Sequence, residues 1–397
     1  MTSRLAGLTI VLLLAIAGMT LWTACDPCAS CSGEHKPPPP PPPNACLPSS
    51  SISVLVQGPN ATAYVPQGNW GSEATGVKVV PIETSAGVGT GGAPTTVATG
   101  NIANSCSSNS TTGQTVCVGN NTDVYLITGT TLNSTLTSGA TASQNFSGGS
   151  CENCGVVVDS TTNKALITIG LASGGPGGFQ FLDLGGMPAF EAPIPAGAET
   201  SEDVSIDPVR QLVLSPNEPG NYQILNTSTG TLFNNLVSGS PFFDSAAEDC
   251  TTGVALATDE GTGNVFFADL TQAVFTPGSP GTWTAPSNLQ NFPEFADFSA
   301  GTNGIAVAPG THLAIVTGEF GGDLEGVVQL PATSGTGTPA AVDWVAFNVP
   351  AQPDEATWLQ GFDPHTVTAY VSPNSGKAFA VLGNADFTLR WSIFRDC

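Results

Sequence analysis

A short apolar triplet returns along this chain at a step of roughly fifty residues, and that period restricts the fold more than any other feature. Val54-Leu55-Val56, Val156-Val157-Val158, Val204-Ser205-Ile206, Val254-Ala255-Leu256, Ile305-Ala306-Val307 and Val367-Thr368-Ala369 each open a unit. The long interval between the first two leaves room for one more, around Asn104 to Leu136, so seven units result, with an insertion before the last. Inside a unit the same grammar recurs. VVVDSTTNKALITIG (156–170) reads as strand, polar turn and strand; Phe179 to Leu184 is a third strand and Phe190 to Ile194 a fourth. VSIDPVRQLVLSPNEPGNYQILNTSTGTLF (204–233) and VSPNSGKAFAVLGN (371–384) repeat the plan. Short β-rich runs divided by turn residues at this density signal an all-β repeat fold. A lone four-stranded sheet cannot bury both faces, whereas neighbours stacked face to face can. Four strands on this period suit the blades of a β-propeller. The expected fold is therefore all-β, a seven-bladed β-propeller over residues 45–397, with six or eight blades as the alternatives.

Composition supports this and limits the partners. Apolar residues make up 40% of the 397, enough for a core, while 47 Gly and 32 Pro favour short strands and turns over helices. Eight basic residues stand against 31 acidic ones, a net charge of −23. A polyphosphate would be repelled, so nucleic acid is excluded as an expected partner, and an anionic membrane surface would not attract the body.

SPNSGKAFAV (372–381) and SIDPVRQLVL (205–214) resemble the turn-and-second-strand phrase of bacterial YVTN/NHL-type β-propellers, lactonase-like ones among them. The resemblance implies the propeller fold. It carries no catalytic motif onto this chain, because propellers host many activities.

The amino terminus reads as an export signal. Met1 to Arg4 holds one positive charge, and Leu5 to Trp22 is an uncharged, mostly apolar run. Leu21-Trp22-Thr23-Ala24-Cys25 resembles a bacterial lipobox, in which the cysteine becomes lipidated and amino-terminal. Thr23, Ala24 and Cys25 fit it and Trp22 does not. Plain cleavage and an uncleaved anchor are the alternatives. The organisation expected is a signal peptide over 1–24, a cysteine-bearing neck and polyproline linker over 25–44, and the propeller thereafter. Pro37 to Pro43 is expected to form a polyproline II rod of about 20 Å. Such a tether would place the body outside the cytoplasm, on the periplasmic or cell-surface side of a membrane.

Ten cysteines invite pairing in an oxidising compartment. Cys28 with Cys31 is a local bridge; with His35 and Cys46 these could be read as a zinc set, but the spacing is loose and the prolines fall inside the loop. Cys106 with Cys117 fits adjacent strands, and Cys151 with Cys154 is another close pair. The last unit lacks an obvious fourth strand. Residues Cys46 to Ser51 are expected to supply it, bringing Cys46 to Cys397 as a clasp and leaving Cys250 over.

Catalytic signals are sparse. His312 follows a Pro309-Gly310-Thr311 turn and reads as surface; His365 sits at a strand start. No Gly-x-Ser-x-Gly elbow occurs. GVGTGG (87–92) matches a dinucleotide pattern by letter, but APTTVATG after it is no helix, so it reads as a loop. The one constellation is acidic. Glu152, Glu202, Asp203, Glu248, Asp249, Asp297 and Asp363 precede first strands and could gather at one end of the channel around Ca²⁺. An acidic protein also places carboxylates at loop ends without any ion. Six Asn-x-Ser/Thr sites, among them Asn109, read as by-products of a polar surface, and the tryptophans as blade packing. The leading function is a binding or scaffolding module for an envelope protein, glycan or small ligand, reaching the membrane through its lipid. The alternative is a metal-dependent, lactonase-like or other hydrolase using the central channel.

Overall fold

Turn residues every six to eight positions cut the chain into short antiparallel ladders, and these ladders are the units of the fold. The structure, a computed structural model, describes residues 47–48, 52–67, 75–88, 91–119, 122–137, 155–169, 178–196, 204–217, 220–239, 241–291, 301–318, 325–332, 340–342, 366–383 and 389–393. One compact unit runs over Pro39–Arg395. Among the described residues there are seven sheets, a single 3₁₀ turn (Leu270–Gln272) and no α-helix.

The body of each sheet is an antiparallel meander in chain order. Blade 1 has Ser53–Gln57, Asn60–Pro66 and Val77–Thr84, with Gly87–Val88 and Thr95–Val97 at its outer edge. Blade 2 has Ala103–Ser108, Gln114–Gly119, Asp123–Thr128 and Thr131–Thr137. Blade 3 has Val156–Asp159, Lys164–Ile169 and Gly178–Asp183, its outer strand broken into Ala189–Phe190 and Ile194–Pro195. Blade 4 has Ser205–Asp207, Leu212–Asn217, Asn221–Asn226 and Thr231–Leu236. Blade 5 has Phe243–Asp249, Val254–Asp259, Asn264–Asp269 and Ser287–Asn291. Blade 6 has Thr302–Ala308, Leu313–Gly318, Glu325–Gln329 and Ala340–Val342, and blade 7 has Thr366–Val371, Ala378–Gly383 and Leu389–Ile393.

The first strands of successive sheets adjoin one another all the way round, the seventh beside the first, so they form the inner ring of a propeller. Buried clusters fill every gap between neighbours. Leu55, Tyr64 and Val79 of blade 1 meet Tyr125 of blade 2; Val116 and Leu126 meet Val156 and Ile167; Phe179 meets Val213 and Leu225. Tyr222 and Ile224 meet Phe243 and Phe266; Leu256 and Phe267 meet Ile305 and Val316; Ile315 meets Val367 and Ala380. Tyr370, Phe379 and Val381 meet Ile52, Val80 and Ile82 and close the circle. Each such apolar side chain contributes about 2 kcal/mol by leaving water.

A hairpin of Val274–Thr276 and Gly281–Thr284, inserted before the outer strand of blade 5, lies on blade 4 instead. Gly281 and Thr282 pair parallel with Phe233 and Asn234. Trp283 is buried there, its Nε1 donating to the Tyr222 carbonyl at 2.8 Å, which is the packing role expected of it.

Two sequence expectations are corrected. Val254 opens the second strand of blade 5, because the inner strand Phe243–Asp249 (FDSAAED) has no apolar triplet to mark it. The segment after the prolines does not complete the last blade. Leu47 and Pro48 pair antiparallel with Ile206 and Ser205, the inner strand of blade 4, where the channel-side ladder edge offers open backbone groups.

Candidate functional site: a rim of capped turns

The first turns of blades 2, 3, 4, 5 and 7 are built to one recipe, legible in the residues. A short polar side chain ends the inner strand, and four residues later the backbone turns left-handed. Asn109 Oδ1 accepts from the N–H groups of Thr111 and Thr112 at 2.9 and 3.0 Å. Asp159 Oδ1 accepts from Thr161 and Thr162, and Asp207 Oδ1 from Val209 and Arg210 at 2.8 and 2.9 Å. Asp249 Oδ1 takes Thr251, and Ser372 Oγ takes Asn374 and Ser375. The left-handed positions are Gly113, Asn163, Gln211, Gly253, His312 and Gly376, with φ between 56° and 75°. These side chains replace backbone partners that the turn cannot supply.

Inner and third strands of a meander run the same way, so the first and third turns of all blades share one face of the ring. On this face the turns are tied across blades. Asn109 Nδ2 donates to Asn163 Oδ1 at 2.7 Å, and the Ser110 N–H to Ser160 Oγ at 3.0 Å. His312 Nδ1 lies 2.6 Å from Asp249 Oδ2 and is only partly exposed, a contact its surface reading did not foresee. Glu83, 1% exposed at the end of a blade 1 strand, accepts from Tyr370, Ser372 and Asn374 of blade 7 at 3.2, 2.5 and 2.8 Å. One carboxylate thus latches the ring where chain ends meet.

The most charged part of the rim lies between blades 4 and 5. Arg210 Nη1 donates to Asp207 Oδ2 at 2.7 Å and to the Cys250 carbonyl at 3.1 Å, and sits 3.7 Å from Glu248 Oε1. Ligand atoms of Asp207, Glu248 and Cys250 lie within 4.8 Å of one another. Glu248 is fully buried. Desolvation, then the negative charge of Asp207, hold its carboxyl well above the ordinary range, and Arg210 only partly opposes this. Burial therefore favours the protonated, neutral form of Glu248 beside the Asp207–Arg210 ion pair. Cys250 is disulfide-bonded, which corrects its expected free thiol and withdraws its sulfur from metal ligation.

Of the carboxylates expected around Ca²⁺, Glu248 and Asp249 are described, and they end an inner strand rather than precede one. Glu152, Glu202, Asp203, Asp297 and Asp363 lie outside the described residues, as do Cys25, Cys28, Cys31, Cys46, Cys151, Cys154, Cys397 and His365. Cys106 and Cys117 do pair, directly opposed on the first two strands of blade 2. Asn109 is wholly buried, consistent with its sequon being incidental. Glu83 and Asp207 were missed as rim residues. The Asp-x-x-x-(left-handed residue) phrase in SIDPVRQ could have flagged Asp207, while nothing local marks Glu83.

The fold and this rim define the class: the chain is a β-propeller. No protein-family model matches it, and no curated protein does either. Similar solved structures include a chain of the crystal structure of the mitotic checkpoint complex, 10% identical with a TM-score of 0.54, covering 87% of this chain and 86% of that one. Another is the β-propeller domain of Cps50 (Swd1) from Myceliophteria thermophila, 8% identical with a TM-score of 0.53, covering 88% and 97%. At these identities the likeness establishes the fold alone.

Proposed function

We propose that this propeller is a protein-binding module, displayed outside the cytoplasm on a lipid tether at Cys25, and that it docks its partner on the turn-bearing face. The observation that carries the reading is the character of that face. Its turns are held rigid by their own side chains and by cross-blade hydrogen bonds, so little is lost in ordering them on binding. Above blades 3 and 4 it exposes Met187, 90% accessible, and Val209, 59% accessible, beside the acidic turns. Both structural neighbours come from structures titled for a protein assembly or a propeller domain, in accord with a scaffold. The export run, the lipobox-like Thr23-Ala24-Cys25 and the proline rod support the tether.

A photo-crosslinking residue placed at Met187 or Val209 in the producing cell tests the docking face. The expected result is a discrete protein adduct from these positions and none from Leu236, at the far end of its strand, or Phe242, just before the inner strand of blade 5. Equal adducts from both faces, or none from Met187 and Val209, would refute it. The tether is checked by the intact mass of the membrane-extracted protein, expected to begin at Cys25 with an added diacylglycerol.

A further inference from the structure

We propose that blade 4, on the face it turns to blade 3, holds a monovalent alkali cation, Na⁺ or K⁺, on the neutral oxygens of Ser215, Asn217, Asn221 and Gln223. Val213 and Leu225 of that face pack with Val157 and Phe179 of blade 3, while Leu214, Tyr222 and Ile224 point the other way, into blade 5. Strand alternation therefore puts Ser215, Asn217, Asn221 and Gln223 on the blade 3 side. Ser215 pairs with Gln223 and Asn217 with Asn221. Opposed Cα atoms about 5 Å apart and same-face neighbours about 7 Å apart make this one compact patch.

The ring is apolar at the matching place in other blades. The fourth residue of the second strand is Ile167 in blade 3, Ala257 in blade 5 and Val316 in blade 6, each inside an apolar cluster. Blade 4 has Ser215 there, 0% exposed, with Asn217, Asn221 and Gln223 around it at 1%, 8% and 0%. Among the described residues, Ser215 Oγ, Asn217 Oδ1, Asn221 Oδ1 and Gln223 Oε1 have no hydrogen-bond partner. Two of the amides are fixed in orientation. Asn217 Nδ2 donates to the Ser215 carbonyl at 3.0 Å, and Gln223 Nε2 donates to the Ala196 carbonyl and to Asn234 Oδ1, both at 3.0 Å. A carbonyl accepts only from the nitrogen end of an amide, so the oxygen ends are the ones left over.

Buried acceptors without a donor bear their full desolvation penalty, and a cation relieves all four at once. Carbonyl and hydroxyl oxygens suit hard cations, and carbonyl oxygens can replace the hydration shell of K⁺. The four ligands carry no charge, whereas divalent ions draw their affinity from carboxylates, so the set selects a monovalent ion. Lys164 and Arg210 are the basic residues between positions 155 and 240, and both stand at the turn-bearing end of their blades, away from the patch. The net charge of −23 favours entry of a cation.

The test is thermal melting of the full native protein as NaCl or KCl replaces choline chloride at constant total salt. One of the two alkali ions is expected to raise the melting temperature saturably, by about 2 °C or more at tenfold excess over its dissociation constant. Ser215→Val, which installs the residue blade 6 carries at this place, should need at least tenfold more of that ion for the same rise. Should that variant fail to fold, Asn221→Ala at the rim of the patch gives the same reading. Identical melting in all three salts, as internal waters alone would give, would overturn the proposal. So would an ion response that is unchanged in the variant, because the ion would then be acting at the acidic surface.

Discussion

Replacing Glu248 by Gln should remove a stability term that depends on pH. In the unfolded chain this side chain ionises near 4.5, whereas in the folded protein burial and the Asp207 charge keep the proton on well above that. Below 4.5 both states carry the proton and its contribution is fully present. As pH rises toward the folded value, unfolding releases a proton that the folded state retains, so stability falls. The slope is about 1.4 kcal/mol per pH unit for one proton. Gln is isosteric with the protonated acid and does not titrate, and Arg210 keeps its ion pair with Asp207. Urea unfolding with disulfides intact, run from pH 4 to 8, reads the difference. Near pH 4 the two proteins should be close in stability. Above pH 5 the variant should gain on the parent by about 1.4 kcal/mol per unit until Glu248 ionises in the folded state. Parallel curves across the range would refute the reading of Glu248 as a buried, protonated acid beside the Asp207–Arg210 pair.

Other perturbations probe the ring and its turns. Glu83→Ala leaves the Tyr370, Ser372 and Asn374 donors without their acceptor at the blade 7–blade 1 seam and should cost about 3 kcal/mol in urea denaturation. Removing the Cys106–Cys117 bridge by a double Ala substitution should cost about 2–3 kcal/mol, read by the same assay, since it closes a short loop. Gly301→Ala would drive a Cβ to 1.8 Å from the Glu260 carbonyl at a φ of 122° and should destabilise by more than about 3 kcal/mol. Gly310→Ala, with φ 71° and open space around it, should cost only about 1 kcal/mol, and melting temperatures separate the two.

Most blades were legible in the sequence because a blade is local. In VVVDSTTNKALI the apolar triplet, the polar turn and the second strand lie within twelve residues, and the structure pairs Val156 with Ile167 as that phrase requires. Blade 5 was misphased because its inner strand carries Asp244, Ser245, Glu248 and Asp249 in place of an apolar run. Its buried apolar residues are Phe243, Ala246 and Ala247, too small or too scattered to stand out.

What the sequence determined by itself was the strand-turn grammar, the number of units and the acidic, helix-poor character. These rest on side-chain alternation and turn chemistry over a few residues. What only the tertiary structure decided was which units touch and what meets at their seams. Glu83 finds Ser372 across most of the chain, Arg210 finds Cys250 in the next blade, and Leu47 joins blade 4 rather than blade 7. Such contacts depend on how the ring closes, and closure is set by seven interfaces packing at once, a condition no local stretch of sequence encodes.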